Sequence, residues 1–326
     1  MSFRSGPFRW RIAALLALST WHCECSTDLS GMQVGGPNPY TRCLAHELSE
    51  RDWWRQGSLR LRIQDRTLSV AGVQVGDRIA MGAGPSPGTF DDALLHALDA
   101  RDAKLLLVVG ELATSPAESR ILFSRLADLK MPVVAIAGGR DQAGAFRSGT
   151  EATDGAVVDG RGLRSIDFGD FELFLLSGGP RRYVSGPGGC GYEASDLEPL
   201  AFDQSGADRS EQDGKEKTSV WVAWSHAGLD TGLLRRLSQA GIAQGFYAWP
   251  YHQGDLPRYG LGTLGVEAFS ATSTGEEFEW IGLPRVGGPP RRLLDGTLKP
   301  SGLVWLLATS QGLRAERVAT EDASAP

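Results

Sequence analysis

The residues of this chain best suited to chemistry stand at the ends of short apolar runs. Glu111 follows LLLVVG, Arg140 and Asp141 close AIAGGRD, His226 lies in AWSHAG, and His252 lies in WPYHQG. Carboxylates and imidazoles are groups that transfer protons or hold ligands, and any chemistry should converge where strand ends deliver them. Arg140 carries a permanent charge and cannot transfer protons, so it suits an internal salt bridge or a bidentate grip on an anion. A histidine at a strand end is also a common hydrogen-bonded packing residue, and His22, His46 and His96 have no context that gives them a role. Other schemes lack support. Ser225 and His226 are adjacent and cannot face each other as nucleophile and base, and no G-x-S-x-G elbow is present. The pairs Asp91-Asp92 and Glu276-Glu277 read as a helix start and a solvated turn.

The elements that must position these groups are clearest across 104–141. Runs 105–109 and 133–137 are too short for buried helices and read as buried parallel strands. Between them Ser115-Pro116-Ala117-Glu118 gives an N-cap, a proline at the first helical position and a capping glutamate, followed by Ile121, Leu122, Leu126 and Leu129. Strand, capped helix and parallel strand make a βαβ unit, whose ligands bind beyond the carboxyl ends of the strands.

Along the chain, 44–55 reads as a short helix carrying Trp53 and Trp54, and 59–63 with 67–75 as a hairpin at a sheet edge. A strand at 78–81 leads through a Gly- and Pro-rich turn to a helix at 90–99. That turn matches neither the dinucleotide fingerprint nor the P-loop. Runs 163–168 and 171–176 flank Gly169-Asp170 as a second hairpin. The segment 177–191 reads as a long surface loop and 203–219 as a solvated excursion. Strands follow at 220–224 and 242–248 around a helix at 231–240. Runs 266–271, 277–281, 303–309 and 313–318 then predict antiparallel sheet.

A net charge of -6 and a pI near 5.5 provide no broad cationic field, which argues against nucleic acid as a partner. Arg4, Arg9 and Arg11 precede the apolar run 12–18, a secretory signal pattern that gives 1–22 as signal peptide. An irregular leader at 23–57, a domain at 58–318 and a tail at 319–326 complete the division. No other apolar run is long enough to span a bilayer. The expected location is the periplasm, the cell surface or the medium, with Cys23 a candidate for lipid attachment despite flanking residues that depart from a lipoprotein signal. Cys23, Cys25, Cys43 and Cys190 suit disulfides in an oxidising compartment, and their spacing does not choose among the pairings.

The order of these strand-loop units over 78–318 resembles the calcineurin-like metallophosphoesterase family. The resemblance implies an α/β fold of two sheets packed as a sandwich with helices outside (α/β/β/α). It also implies five strand-end loops that hold two metal ions for phosphoester hydrolysis. This chain departs from that pattern. The first loop falls at 80–83 without its Asp and His, and Glu111 stands for the bridging Asp of the second. Gly139 and Arg140 replace Asn and His of the third while Asp141 is kept, His226 matches the lone histidine, and His252 alone remains of the last. The resemblance thus implies a pseudoenzyme with no resident cofactor that binds a small anionic ligand or an envelope protein. The alternatives are a phosphoesterase whose one Zn or Mn ion is held, with an open coordination position, at the matching positions Glu111, His226 and His252, and a structural envelope protein.

Overall fold

The computed structural model describes residues 40–84, 92–110, 112, 115–180, 184, 187–197, 219–224, 244–248, 266–270, 277–286, 291–292, 298–299, 302–310 and 312–319. Within them the chain is mixed α/β, with strands predominating over helices. At its centre β6 (Ala103–Val109) and β7 (Val133–Ile136) pair in parallel, Leu106 opposite Val133 and Val109 opposite Ile136. The crossover helix α2 (Pro116–Ala127) begins where local chemistry dictates: the Ser115 hydroxyl accepts from the Glu118 N–H at 3.3 Å and lies 3.3 Å from the Glu118 carboxylate.

Two sheets grow around this unit. The first runs β20-β19-β5-β6-β7-β8, adding β5 (Arg78–Ala83), β8 (Val157–Asp159), β19 (Gly302–Thr309) and β20 (Gly312–Ala319). Here β5 to β8 are parallel, while β19 is antiparallel to both β5 and β20. The second runs β15-β16-β14-β13-β10-β9-β4-β3-β2, from β15 (Val266–Ser270) and β16 (Glu277–Gly282) through β14 (Gln244–Tyr247), β13 (Ser219–Trp224), β10 (Phe171–Leu176) and β9 (Ser165–Asp167). It ends at β4 (Thr67–Ala71), β3 (Leu59–Gln64) and β2 (Arg51–Gln56).

Side-chain alternation assigns the two faces of the first sheet. Ile79, Leu105, Leu107, Val134 and Leu306 join Leu61, Leu68, Leu173 and Phe246 of the second sheet in one buried core. Their neighbours Ala80, Leu106, Val108, Val133 and Trp305 turn to the other side. There they pack with Leu98 of α1 (Asp92–Ala100), Leu122 and Phe123 of α2, and Phe146 of α3 (Ala143–Glu151). Burial on both faces is why β6 and β7 read as unbroken apolar runs.

Several expectations are corrected. Residues 44–55 do not form the expected short helix: a single 3-10 turn (Cys43–Ala45) is followed by β2, whose Trp54 stands opposite Leu61 of β3. Long-range pairing of an aromatic edge strand overrides the local helical spacing. The fold accordingly takes in much of the stretch assigned to the leader, beginning with β1 (Tyr40–Arg42). The supposed surface loop 177–191 contains β11 (Gly179–Pro180) and runs into β12 (Gly189–Tyr192), buried throughout, which pairs in parallel with β1. Gly191 permits this, since a Cβ there would lie 2.4 Å from the Tyr40 ring. Cys190 of β12 is joined to Cys43, with Cα atoms 5.3 Å apart. Towards the C-terminus the pairs β15–β16 and β19–β20 are antiparallel as expected, as is the short pair β17 (Arg291–Arg292) and β18 (Leu298–Lys299), but β16 joins β14 in parallel. A short helix α4 (Ala194–Leu197) follows β12. Among the described residues no helix is long and apolar enough to cross a membrane. The expected segments 203–218 and 231–240 lie outside the described residues, as do Cys23 and Cys25.

Candidate functional site

The carboxyl ends of β5, β6 and β7 lie side by side, so their loops share one rim. On it the turn after β7 is built by Asp141. Its buried carboxylate accepts from the Gly138 N–H at 2.6 Å, its own N–H donates to the Gly138 carbonyl at 3.1 Å, and its carbonyl accepts from the Cys190 N–H at 2.8 Å. Asp141 therefore shapes the loop and ties it to the disulfide strand. Arg140, one residue earlier, is exposed.

At the end of β5 the positions aligned with the first loop, 80–83, belong to the strand itself. The chain at 284–286 pairs onto that strand end: the Ala83 N–H donates to the Pro284 carbonyl at 2.9 Å and the Val286 N–H to the Ala83 carbonyl at 2.8 Å. Arg285 Nε donates to the Gly84 carbonyl at 3.3 Å. Two arginines, Arg140 and Arg285, thus stand on the rim on either side of β6, the strand that leads to Glu111. Glu111, His226 and His252 lie outside the described residues, and among the described ones no group of three His, Cys, Asp or Glu side chains is disposed to hold a metal ion.

A second arrangement escaped the sequence reading. On the flank where the edge strands β2 and β8 end the two sheets, a cavity of about 780 Å³ opens between residues 45–51, β8 and the end of α3. Its most buried charged group is Arg161, 2% exposed. Arg161 Nε lies 3.1 and 3.0 Å from the two Asp159 carboxylate oxygens, Nη2 donates to Asp159 Oδ2 at 2.7 Å, and Nη1 donates to the Ala143 carbonyl at 2.9 Å. Its Nη2 also lies 3.3 Å from His46 Nε2. A guanidinium can only donate, so this contact is a hydrogen bond when His46 carries its proton on Nδ1. Burial alone would raise the Asp159 carboxyl. The charge and hydrogen bonds of Arg161 outweigh it and hold the group below the usual carboxylate range.

The segment bearing His46 is fixed from beneath. Arg66 donates to the carbonyls of Leu44, Ala45 and His46 at 3.0 to 3.1 Å, and Cys43 is anchored by its disulfide. Beside it Arg42 pairs with the buried Asp196, and Arg164 is pushed down to about 10 by burial and by the like charge of Arg66, against the pull of Asp196. The signal for this site was present in the sequence as VVDGR, an apolar run delivering a carboxylate and a guanidinium around Gly160. Its partner His46 is more than a hundred residues away, and only the fold brings them together.

No protein-family model matches the chain, and no curated protein matches it.

Proposed function

We propose that this chain is an exported protein built on a metallophosphoesterase-like α/β/β/α frame, in which the strand-end site has lost two-metal catalysis and serves to bind a ligand or partner. The observation that carries this reading is the rim itself. The end of β5, where the family's first ligands belong, is paired with 284–286 and capped by Arg285, and the third loop offers Arg140 in place of a histidine. Fixed cations repel a second cation, so a pair of divalent ions is disfavoured there. Asp141, the acid retained in the third loop, spends its carboxylate on the Gly138 amide. The parallel order β5 to β8 and the shared core of two sheets support the frame.

The test is to purify the chain from metal-supplemented culture, measure bound transition metal, and assay phosphodiester hydrolysis with added manganese or zinc. The expected result is substoichiometric metal and hydrolysis no faster than the blank. Stoichiometric metal with turnover that disappears in His226→Ala would overturn the proposal and establish a working metal centre.

A further inference from the structure

The flank cavity runs along the edge strand β8, and its lining carries three acids, Glu47, Glu151 and Asp159, and three arginines, Arg51, Arg147 and Arg161. Arg161 is paired with Asp159, and Arg147 with Glu151 at 2.8 Å. Arg51 has no ion pair among the described residues. Its guanidinium lies over the Trp54 ring at 4.1 Å, and stacking of this kind leaves the N–H edge in the ring plane able to take a planar acceptor. Gly155 makes room for it, because a Cβ on that residue would sit 2.5 Å from Arg51 Nη1 and its φ of +79° also disfavours a side chain. Trp54 lines the same cavity, so its ring backs the guanidinium there. The remaining lining includes Leu48, Ile63, Val157 and Val158, and Glu47 among the lining acids is exposed.

A guanidinium with no ion pair among the described residues, stacked on a ring and beside apolar side chains, suits a single kind of guest. We infer that this cavity binds a small organic acid, with its carboxylate held by Arg51 and its apolar body against Leu48, Ile63, Val157 and Val158. The volume of about 780 Å³ lies within the range of small-ligand sites. This inference rests on the ligand-binding reading above and gives that reading a site and a ligand class.

Octanoate is the probe and octan-1-ol the control with the same body and no charge, each titrated calorimetrically into the full chain. Octanoate is expected to bind saturably at one site and octan-1-ol at least tenfold more weakly. Arg51→Gln should weaken octanoate about tenfold or more. Arg140→Gln on the rim should leave it unchanged. Thermal unfolding of each variant establishes that it is folded. Absence of saturable octanoate binding, equal affinity for the alcohol, or undiminished binding by folded Arg51→Gln would overturn the inference. Metal-dependent hydrolysis would instead sink the proposed function while leaving the octanoate titration readable, so the two failures are distinguishable.

Discussion

Replacing Asp159 with Asn keeps the side-chain shape and removes its charge from Arg161. The guanidinium then stays 2% exposed, with the contacts at 2.7, 3.0 and 3.1 Å no longer made to an anion. Breaking a buried pair by removing one partner costs about 3–5 kcal/mol. The Asp159 side chain is 19% exposed, which places the expected loss near the lower end, about 3 kcal/mol. The internal comparison is Glu151→Gln, which breaks the exposed Arg147–Glu151 pair and should cost only about 0.5 kcal/mol. Urea unfolding at pH 7, followed by circular dichroism, measures both, and adding Arg161→Met to Asp159→Asn should recover part of the loss. The pH dependence follows from the depressed Asp159 carboxyl. Its contribution is complete above the unfolded carboxylate value, about 3.9, and disappears as pH falls through the lower folded value. Wild type and Asp159→Asn should therefore keep a constant gap from about pH 5 upward and converge below about pH 4. A loss under about 1 kcal/mol at pH 7, or a gap that persists into strong acid, would refute the assignment of a charge-dependent anchor.

Two further outcomes are expected. The Cys43–Cys190 bond closes a loop across a separation of 147 residues, so the Cys43→Ser, Cys190→Ser double variant should lose up to about 5 kcal/mol on chain-entropy grounds, measured as the urea midpoint with and without reductant. Gly149 lets α3 approach α2, and an added Cβ would meet Ser119 Oγ at 2.2 Å and the Phe123 ring at 2.4 Å. Gly149→Ala should consequently destabilise by about 1–3 kcal/mol, read from the thermal midpoint, and Gly169→Ala, which meets no neighbour but has a φ of +91°, supplies a strain-only comparison.

Local sequence alone determined the elements whose formation is a short-range matter. The start of α2 was readable because Ser115, Pro116 and Glu118 satisfy its first amides without help from elsewhere. The strands β6 and β7 were readable because a strand buried on both faces must be apolar throughout. Residues Trp53 and Trp54 were misread because spacing in a short segment cannot reveal that β3 offers an edge for pairing. The glycine-rich segment leading to β12 was misread for a related reason. Its turn-like composition serves close packing on Tyr40, a contact between residues far apart in the chain. The site followed the same division. Arg140 and Asp141 could be placed on the rim from the βαβ pattern, but the pairing of 284–286 with the end of β5 joins segments about two hundred residues apart. The flank cavity joins His46 to Arg161 and Arg51 to Gly155 in the same manner. Hydrogen bonds within a turn are written in adjacent residues. Contacts between edge strands are decided by which faces the two sheets bury, and that choice belongs to the whole chain.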